Sequence, residues 1–306
     1  MLNEDVVRVF VGADRSQQLA VKVLEHSIHR HTSVPVQVLP MIDLDVKQPA
    51  DPKNWGRTGF SFSRFRIPKL AGYQGKAIYL DADMLVMKDI AALWNIPFNG
   101  AKIVIQADLP EKHQATHHKY GAPTQRIKQC AVMLLDCGNL DWEVDRIIAD
   151  LDQGKYTYED LMYQFCLLKE DEIRYSVPFE WNSLEYFDAE TCLIHYTDMA
   201  TQPWVSARNP LAYLWMEEVR LMLRTNKISW EEIQAEVDLG YFRPSLISEL
   251  KYGHYIPPLL YPTWQRLSDS HDRRSNYQPH REAYQRKKVR QQAMETGVGR
   301  QSPSIP

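Results

Sequence analysis

Residues 76–87 read KAIYLDADMLVM. Ala77, Ile78, Tyr79 and Leu80 form a short apolar run, right in length and composition for a buried strand. Two carboxylates, Asp81 and Asp83, follow with only Ala82 between them, and apolar residues resume at Met84, Leu85 and Val86. Acids set into an otherwise buried run are costly to desolvate unless an opposite charge meets them. A divalent cation meets that need. Carboxylate oxygens suit Mg²⁺ or Mn²⁺, and a site with few protein ligands leaves positions open for substrate phosphates. Asp-x-Asp alone is a weak signal, because many acids sit at strand ends in solvated loops. The rest of the chain has to decide.

Upstream, residues 6–11 (VVRVFV) are β-branched and apolar, a buried strand that ends in the small, polar turn Gly12-Ala13-Asp14-Arg15-Ser16. Residues 17–31 then carry Ala20, Val23, Leu24, Ser27 and Ile28 at helical spacing. Val34, Val36 and Val38 alternate as a second strand. A strand, helix, strand opening of this length predicts a parallel βαβ unit. Ligands of such sheets bind beyond the carboxyl ends of the strands, which makes 12–16 a candidate binding loop. Residues 61–71 read as a helix with Phe62, Phe65 and Leu70 inward, Arg64 and Arg66 between them, and Pro68 bending or ending it.

Downstream, 102–107 and 130–136 are further buried strands, the first followed by Asp108. Between them, 109–129 is long and polar. Its His113, His117 and His118 lack a carboxylate or thiolate to complete a metal set, so a loop beside the site is the better reading. Helical stripes follow at 142–151 and 158–168. Glu159 and Asp160 fall in the first turn of the second, where acids complement the helix dipole. Short strands at 172–177 and 192–197 flank Trp181-Asn182. His195 lies inside the later one, and a lone histidine there is more often a hydrogen-bonded core residue than a ligand. Helices are predicted at 211–224 and 230–237.

The bulk composition bounds the class. The chain has 306 residues, 44% apolar and 25% charged, ordinary for a soluble protein that buries a sizeable core. A net charge of −3 argues against a specific nucleic-acid surface. Four cysteines without a CxxC pair fit reduced, mostly buried thiols. The acidic start lacks a signal-peptide pattern, and no run of about 18 apolar residues appears. A cytoplasmic protein is the expectation. From Trp264 onward apolar residues thin out, and nine Lys/Arg stand against four Asp/Glu, a net of +5. This divides the chain into a domain at 1–263 and a poorly ordered basic tail at 264–306. Such a tail suits a polyanion or an anionic lipid surface, peripheral to the inner membrane face.

Taken in order, these blocks resemble the family-8 glycosyltransferases, the group that includes glycogenin and bacterial galactosyltransferases. The likeness runs from about Val7 to Trp204. FVGADRS at 10–16 resembles the family's first nucleotide-binding turn, and SRFRIPKL at 63–70 its Arg-bearing helix. YLDADMLV at 79–86 is similar to its metal-binding core. VPFEWN at 177–182 and IHYT at 194–197, followed by Pro203-Trp204, resemble its later blocks. The resemblance implies an α/β, GT-A (Rossmann-like) fold, with a mixed, mostly parallel central sheet flanked by helices and here followed by the polar tail. It implies that Asp81, Asp83 and His195 bind Mn²⁺ (or Mg²⁺) together with a nucleotide diphosphate, the metal acting as a Lewis acid on the departing group. By the same likeness Asp14 and Ser16 contact uridine, Gly12 and Ala13 let it approach, Ala82 and Arg64 lie beside the donor, and Asp108 is an acid near the donor sugar.

Three departures from the family pattern stand out. Cys130-Ala131-Val132 replaces a usual Asn-Ala-Gly, which alters donor-sugar contacts. Tyr158-Glu159-Asp160 replaces Asp-Gln-Asp, which places a carboxylate where a glutamine commonly faces the anomeric carbon. Asp198 and Gln202 stand where Gly and Lys commonly hold the phosphates, so phosphate binding is weaker or another basic residue substitutes. The expected reaction is transfer of a hexosyl unit from a UDP-sugar to a hydroxyl of a glycan, lipid-linked or protein acceptor, with the retention of configuration that the family implies. Glu159, Asp160 and Asp108 are the candidate catalytic acids. In one route a diphosphate oxygen takes the acceptor's proton on the leaving-group face; in the other Glu159 forms a covalent glycosyl intermediate. The alternative from another class is a non-catalytic nucleotide-sugar-binding protein of the same fold.

Overall fold

A computed structural model describes residues 6–106 and 128–297. The expected βαβ opening is present. β1 (Val7–Gly12) and β2 (Val36–Met41) are parallel neighbours joined by α1 (Gln18–His31). β3 (Lys76–Asp81) pairs parallel with β1 on its other side. The central sheet is completed by β5 (Ile103–Gln106), β6 (Gln129–Asp136) and β7 (Ile173–Val177), in the order β2-β1-β3-β6-β5-β7. Only β6 runs against the rest, so the sheet is mixed and mostly parallel as expected.

The period-2 alternation of the strands explains the layers. Val9, Val11, Ile78, Leu80 and Leu134 face α1, where Leu24 and Ile28 meet them. Phe10, Tyr79 and Met133 face the other way, onto Phe62, Phe65 and Trp142. The Phe65 and Trp142 rings meet edge-on at 5.2 Å. Each such side chain contributes roughly 1.5–3 kcal/mol by leaving water. Five strands end their carboxyl edges on one side of the sheet, and the antiparallel β6 begins there.

A second, three-stranded sheet lies beyond that edge, in the order β4-β9-β8: β4 (Met84–Val86), β9 (Leu193–His195) and β8 (Ser183–Leu184). Its Leu85 and Ile194 join Leu19, Ala20 and Val23 of α1 in a third apolar layer. Trp204, Phe242 and Trp215 of α6 (Ala212–Arg224) fill the rest. Arg243 is wholly buried here, paired with Glu249 and bonded to Pro203 O at 3.1 Å.

Several elements differ from the sequence reading. The helix expected at 61–71 begins as a 3-10 turn (Ser63–Arg66) and becomes α2 only at Ile67–Leu70. Pro68 lies in the first turn of α2, where its missing N–H costs little, so it starts that segment rather than ending it. Leu70, expected inward, is exposed. A short α3 (Ala91–Trp94) follows β4, and α4 (Val144–Asp152) falls where predicted. α5 (Tyr158–Tyr163) is shorter than predicted, because Phe165 turns left-handed at φ 52°. α7 (Trp230–Asp238) and α8 (Leu246–Tyr252) complete the third layer.

The segment expected to be a flexible basic tail is helical as far as residue 297. The boundary drawn at 263 falls inside α9 (Tyr261–Arg274), and α10 (Arg281–Gly297) follows. Buried Asp272 fixes α9 by accepting from Ser245 N at 2.7 Å and Ser245 Oγ at 2.8 Å. Among the described residues no helix is long and apolar enough to cross a membrane.

Candidate active site

Asp81 closes β3, and Asp83 stands just before β4. Ala82 between them is buried in the apolar layer beneath. That turn sends both carboxylates into a cavity of about 390 Å³ at the strand ends. The third group arrives through the second sheet. β9 pairs antiparallel with β4, setting His195 opposite Met84, and Tyr196 N–H donates to Asp83 O at 2.8 Å. One ligand atom from each of Asp81, Asp83 and His195 then lies within 4.8 Å of the others.

The hydrogen bonds around His195 fix its tautomer. Asn182 Nδ2 donates to Gln106 Oε1 at 2.6 Å, which leaves Asn182 Oδ1 to accept from His195 Nδ1 at 2.9 Å. The proton therefore sits on Nδ1, and Nε2 presents a lone pair. That lone pair is 3.2 Å from Asp83 Oδ1, a buried oxygen with no other hydrogen-bond partner among the described residues. The other oxygen, Asp83 Oδ2, accepts from Gln202 Nε2 at 2.8 Å, and the same amide donates to Tyr196 O at 3.0 Å. Two lone pairs facing one another in a buried site call for a cation between them.

The electrostatics agree. Burial disfavours the imidazolium of His195, yet the carboxylates of Asp83, Asp81 and Glu185 outweigh it and raise the pKa. Burial raises that of Asp81 too, against the pull of Arg64. Both shifts have the direction of a cluster that favours added positive charge. Two carboxylates and a neutral imidazole on a preset tautomer fit Mn²⁺ or Mg²⁺ with room for phosphate oxygens.

Arg64 supports this arrangement from below. It is buried, donates from Nη1 to Cys130 O at 3.0 Å and from Nη2 to Tyr79 Oη at 3.2 Å, and lies 3.8 Å from Asp81 Oδ1. Tyr79 in turn donates to Asp81 Oδ1 at 2.5 Å. Its hydroxyl stays protonated, because burial pushes its pKa well up. Gly12 is required beside it: a Cβ at this position would overlap the hydroxyl end of the Tyr79 ring.

The remaining predicted residues divide. Asp14 and Ser16 line the cavity, and Asp14 Oδ1 accepts from Ser16 N at 2.9 Å and Ser16 Oγ at 2.5 Å. Ala13 and Ala82 are core residues whose side chains face away from the cavity. Asp108 and the three histidines at 113–118 lie outside the described residues. Glu159 and Asp160 do not join the triad. Asp160 spends its carboxylate on the capping box of α5, accepting from Thr157 N at 2.9 Å and Thr157 Oγ1 at 2.7 Å. Glu159 is half exposed and pairs with Arg290 Nη2 at 2.9 Å. It is their neighbour Tyr158 that lines the cavity.

The sequence model described as Glycosyl transferase family 8 matches residues 8–158. Protein CDI of Arabidopsis thaliana is 30% identical over 240 residues, which span 72% of this chain and 88% of that one. The chain belongs to glycosyl transferase family 8. Among solved structures, an active-site mutant of LgtC is similar over 70% of this chain and 95% of its own, with a TM-score of 0.50 and 14% identity. The WbbM bifunctional glycosyltransferase aligns over 72% of this chain at 14% identity and a TM-score of 0.49. The chain spans only half, 50%, of that protein's length. The fold is thus GT-A, as its LgtC neighbour's is. Within it, both residues of the third departure from the family pattern have definite places. Gln202 orients Asp83 rather than facing solvent, and Asp198 holds the turn before it, accepting from Ala200 N at 3.0 Å and Thr201 Oγ1 at 2.9 Å. The residue that sequence reasoning passed over is Asn182. Its place directly after Trp181 was visible, but nothing in the pattern tied it to a histidine thirteen residues on.

Proposed function

We propose that the protein is a divalent-metal-dependent glycosyltransferase that moves a hexosyl unit from a UDP-sugar to a hydroxyl acceptor with retention of configuration. The observation that supports it best is the opposed pair of lone pairs, Asp83 Oδ1 and His195 Nε2 at 3.2 Å, with Asp81 beside them. Asp81, Asp83 and His195 hold the metal, Mn²⁺ or Mg²⁺, which supplies Lewis-acid neutralisation of the leaving diphosphate. Asn182 and Gln202 orient the imidazole and the Asp83 carboxylate. Arg64 keeps Asp81 in place through Tyr79 and stays cationic, since the neighbouring Tyr79 and Asp81 outweigh its burial. Asp14 and Ser16 meet the uridine, and Tyr158 forms an aromatic wall.

The position of Glu159 favours acceptor attack on the leaving-group face. Its carboxylate is taken up by Arg290, and the acids on the cavity wall among the described residues are Asp14, Asp81, Asp83 and Glu282. The covalent route through Glu159 would need that ion pair to open. The test is a donor screen for Mn²⁺-dependent hydrolysis of UDP-sugars, which needs no knowledge of the acceptor. Hydrolysis should vanish in Asp83→Ala. Full activity of that variant in EDTA would remove the metal from the reaction. UDP binding without turnover on any donor or acceptor would instead favour the nucleotide-sugar-binding reading.

A further inference from the structure

The C-terminal segment is placed where no part of the proposed reaction has used it. After α9 the chain turns back through Asn276 and His280, both left-handed at φ 53° and 48°. Gln278, His280, Arg281, Glu282 and Ala283 then line the same cavity as Asp14, Asp83 and His195. Nε2 of His280 is buried there and has no hydrogen-bond partner among the described residues. α10 runs on from this point across the mouth and is latched on the far side. Arg290 stacks over the Tyr158 ring at 4.2 Å, pairs with Glu159 at 2.9 Å and donates to Lys53 O at 2.9 Å. Arg286 lies over the Trp55 ring at 5.1 Å and bonds to Gln48.

The charge balance of the cavity gives this placement a purpose. Four acids line it, and a bound diphosphate would bring further negative charge. Arg64 is committed to Asp81, Tyr79 and the Cys130 carbonyl. Asp198 and Gln202 supply no cation where the family pattern has a lysine. Among the described residues, the arginines on the wall that make no ion pair are Arg57 and Arg281. Arg281 sits on the segment that closes over the triad, beside the unmatched His280 nitrogen.

We propose that this C-terminal segment is part of the donor site: Arg281 pairs with the diphosphate, His280 Nε2 bonds to the same ligand, and α10 is the strap that holds both over the metal triad. The inference rests on the metal and nucleotide-diphosphate reading given above. A guanidinium matches two phosphate oxygens in its plane, and such charge-assisted bonds are about twice as strong as neutral ones. The latch consists of one ion pair, two hydrogen bonds and two cation–π contacts, a set that closure can make and break. Donor entry would then open α10, and binding would draw it shut.

The experiment measures UDP and UMP binding by calorimetry in Mn²⁺ for the full-length protein, Arg281→Ala and Arg281→Lys. Amide exchange over 281–290 is followed with and without UDP. Arg281 is exposed, so neither change threatens the fold. Arg281→Ala should weaken UDP roughly tenfold, as expected for one charged hydrogen-bonding partner. UMP should change by less than threefold, Arg281→Lys should recover most of the loss, and UDP should slow exchange in α10. Wild-type affinity in Arg281→Ala, or equal losses for UDP and UMP, would overturn the diphosphate role. Unchanged exchange in α10 would overturn the strap. No binding of UDP by the wild type in Mn²⁺ would defeat the donor reading itself, and this inference with it, a result distinct from intact wild-type binding with an indifferent Arg281.

Discussion

Removing the Asn182 amide should cost the site its metal more than it costs the protein its fold. In Asn182→Ala the Nδ1–H of His195 loses its acceptor in a fully buried place. Leaving that donor unpaired costs about 1–3 kcal/mol. The ring has a way out: it can move the proton to Nε2 and donate to Asp83 Oδ1, 3.2 Å away. That tautomer satisfies the histidine but blocks the lone pair the metal needs. Loss of a partner that orients a ligating histidine typically lowers metal affinity about 10–100-fold, or roughly 1.4–2.7 kcal/mol. Free Mn²⁺ measured by electron paramagnetic resonance gives the Kd. Urea unfolding in EDTA measures the structural cost separately, about 1–3 kcal/mol from the orphaned Gln106 Oε1. Asn182→Asp keeps an acceptor oxygen toward the imidazole and should bind Mn²⁺ at least as well as wild type. An unchanged Kd in Asn182→Ala, or a Kd in Asn182→Asp as weak as in the alanine variant, would refute the tautomer argument.

Two further changes test the supports of the site. Gly12→Ala should destabilise by about 1–3 kcal/mol, the usual cost of overpacking, and weaken Mn²⁺ binding through a displaced Tyr79; urea midpoints and a Mn²⁺ titration read both, and a silent substitution would show that the ring moves freely. Arg243→Ala should cost about 3–5 kcal/mol by stranding the buried Glu249 carboxylate, with the Mn²⁺ Kd little changed; a loss below about 1 kcal/mol would mean the pair is not buried as described.

How far the sequence carries depends on which interactions leave a period behind. The alternation of Val9, Phe10 and Val11, and the apolar run interrupted at Asp81 and Asp83, write strand and turn directly into residue order. The βαβ opening, the sheet and two of the three triad members were legible on those grounds. His195 looked like an ordinary core histidine until family resemblance raised it, because its link to Asp83 is made by β4–β9 pairing across distant sequence. The C-terminal helices were missed for a different reason. α10 has no apolar stripe, so a hydrophobic pattern predicts nothing there. It is held by guanidinium groups on Trp55 and Tyr158 and by one ion pair, none of which recurs at helical spacing. Glu159 shows the same limit: the family likeness implies a place near the sugar, while its ion pair with the distant Arg290 leaves no trace in the local pattern.

The pairing of β4 with β9 also sets a schedule. Asp81 and Asp83 leave the ribosome long before His195, and contacts so remote in sequence form late in folding. A half-made chain therefore has the two carboxylates at the end of β3 without the imidazole that would join them. On the proposed reading, competence to bind would arrive only when the small sheet zips up, and a truncated product that lacks β9 should be inert toward sugar donors however well its first strands have folded.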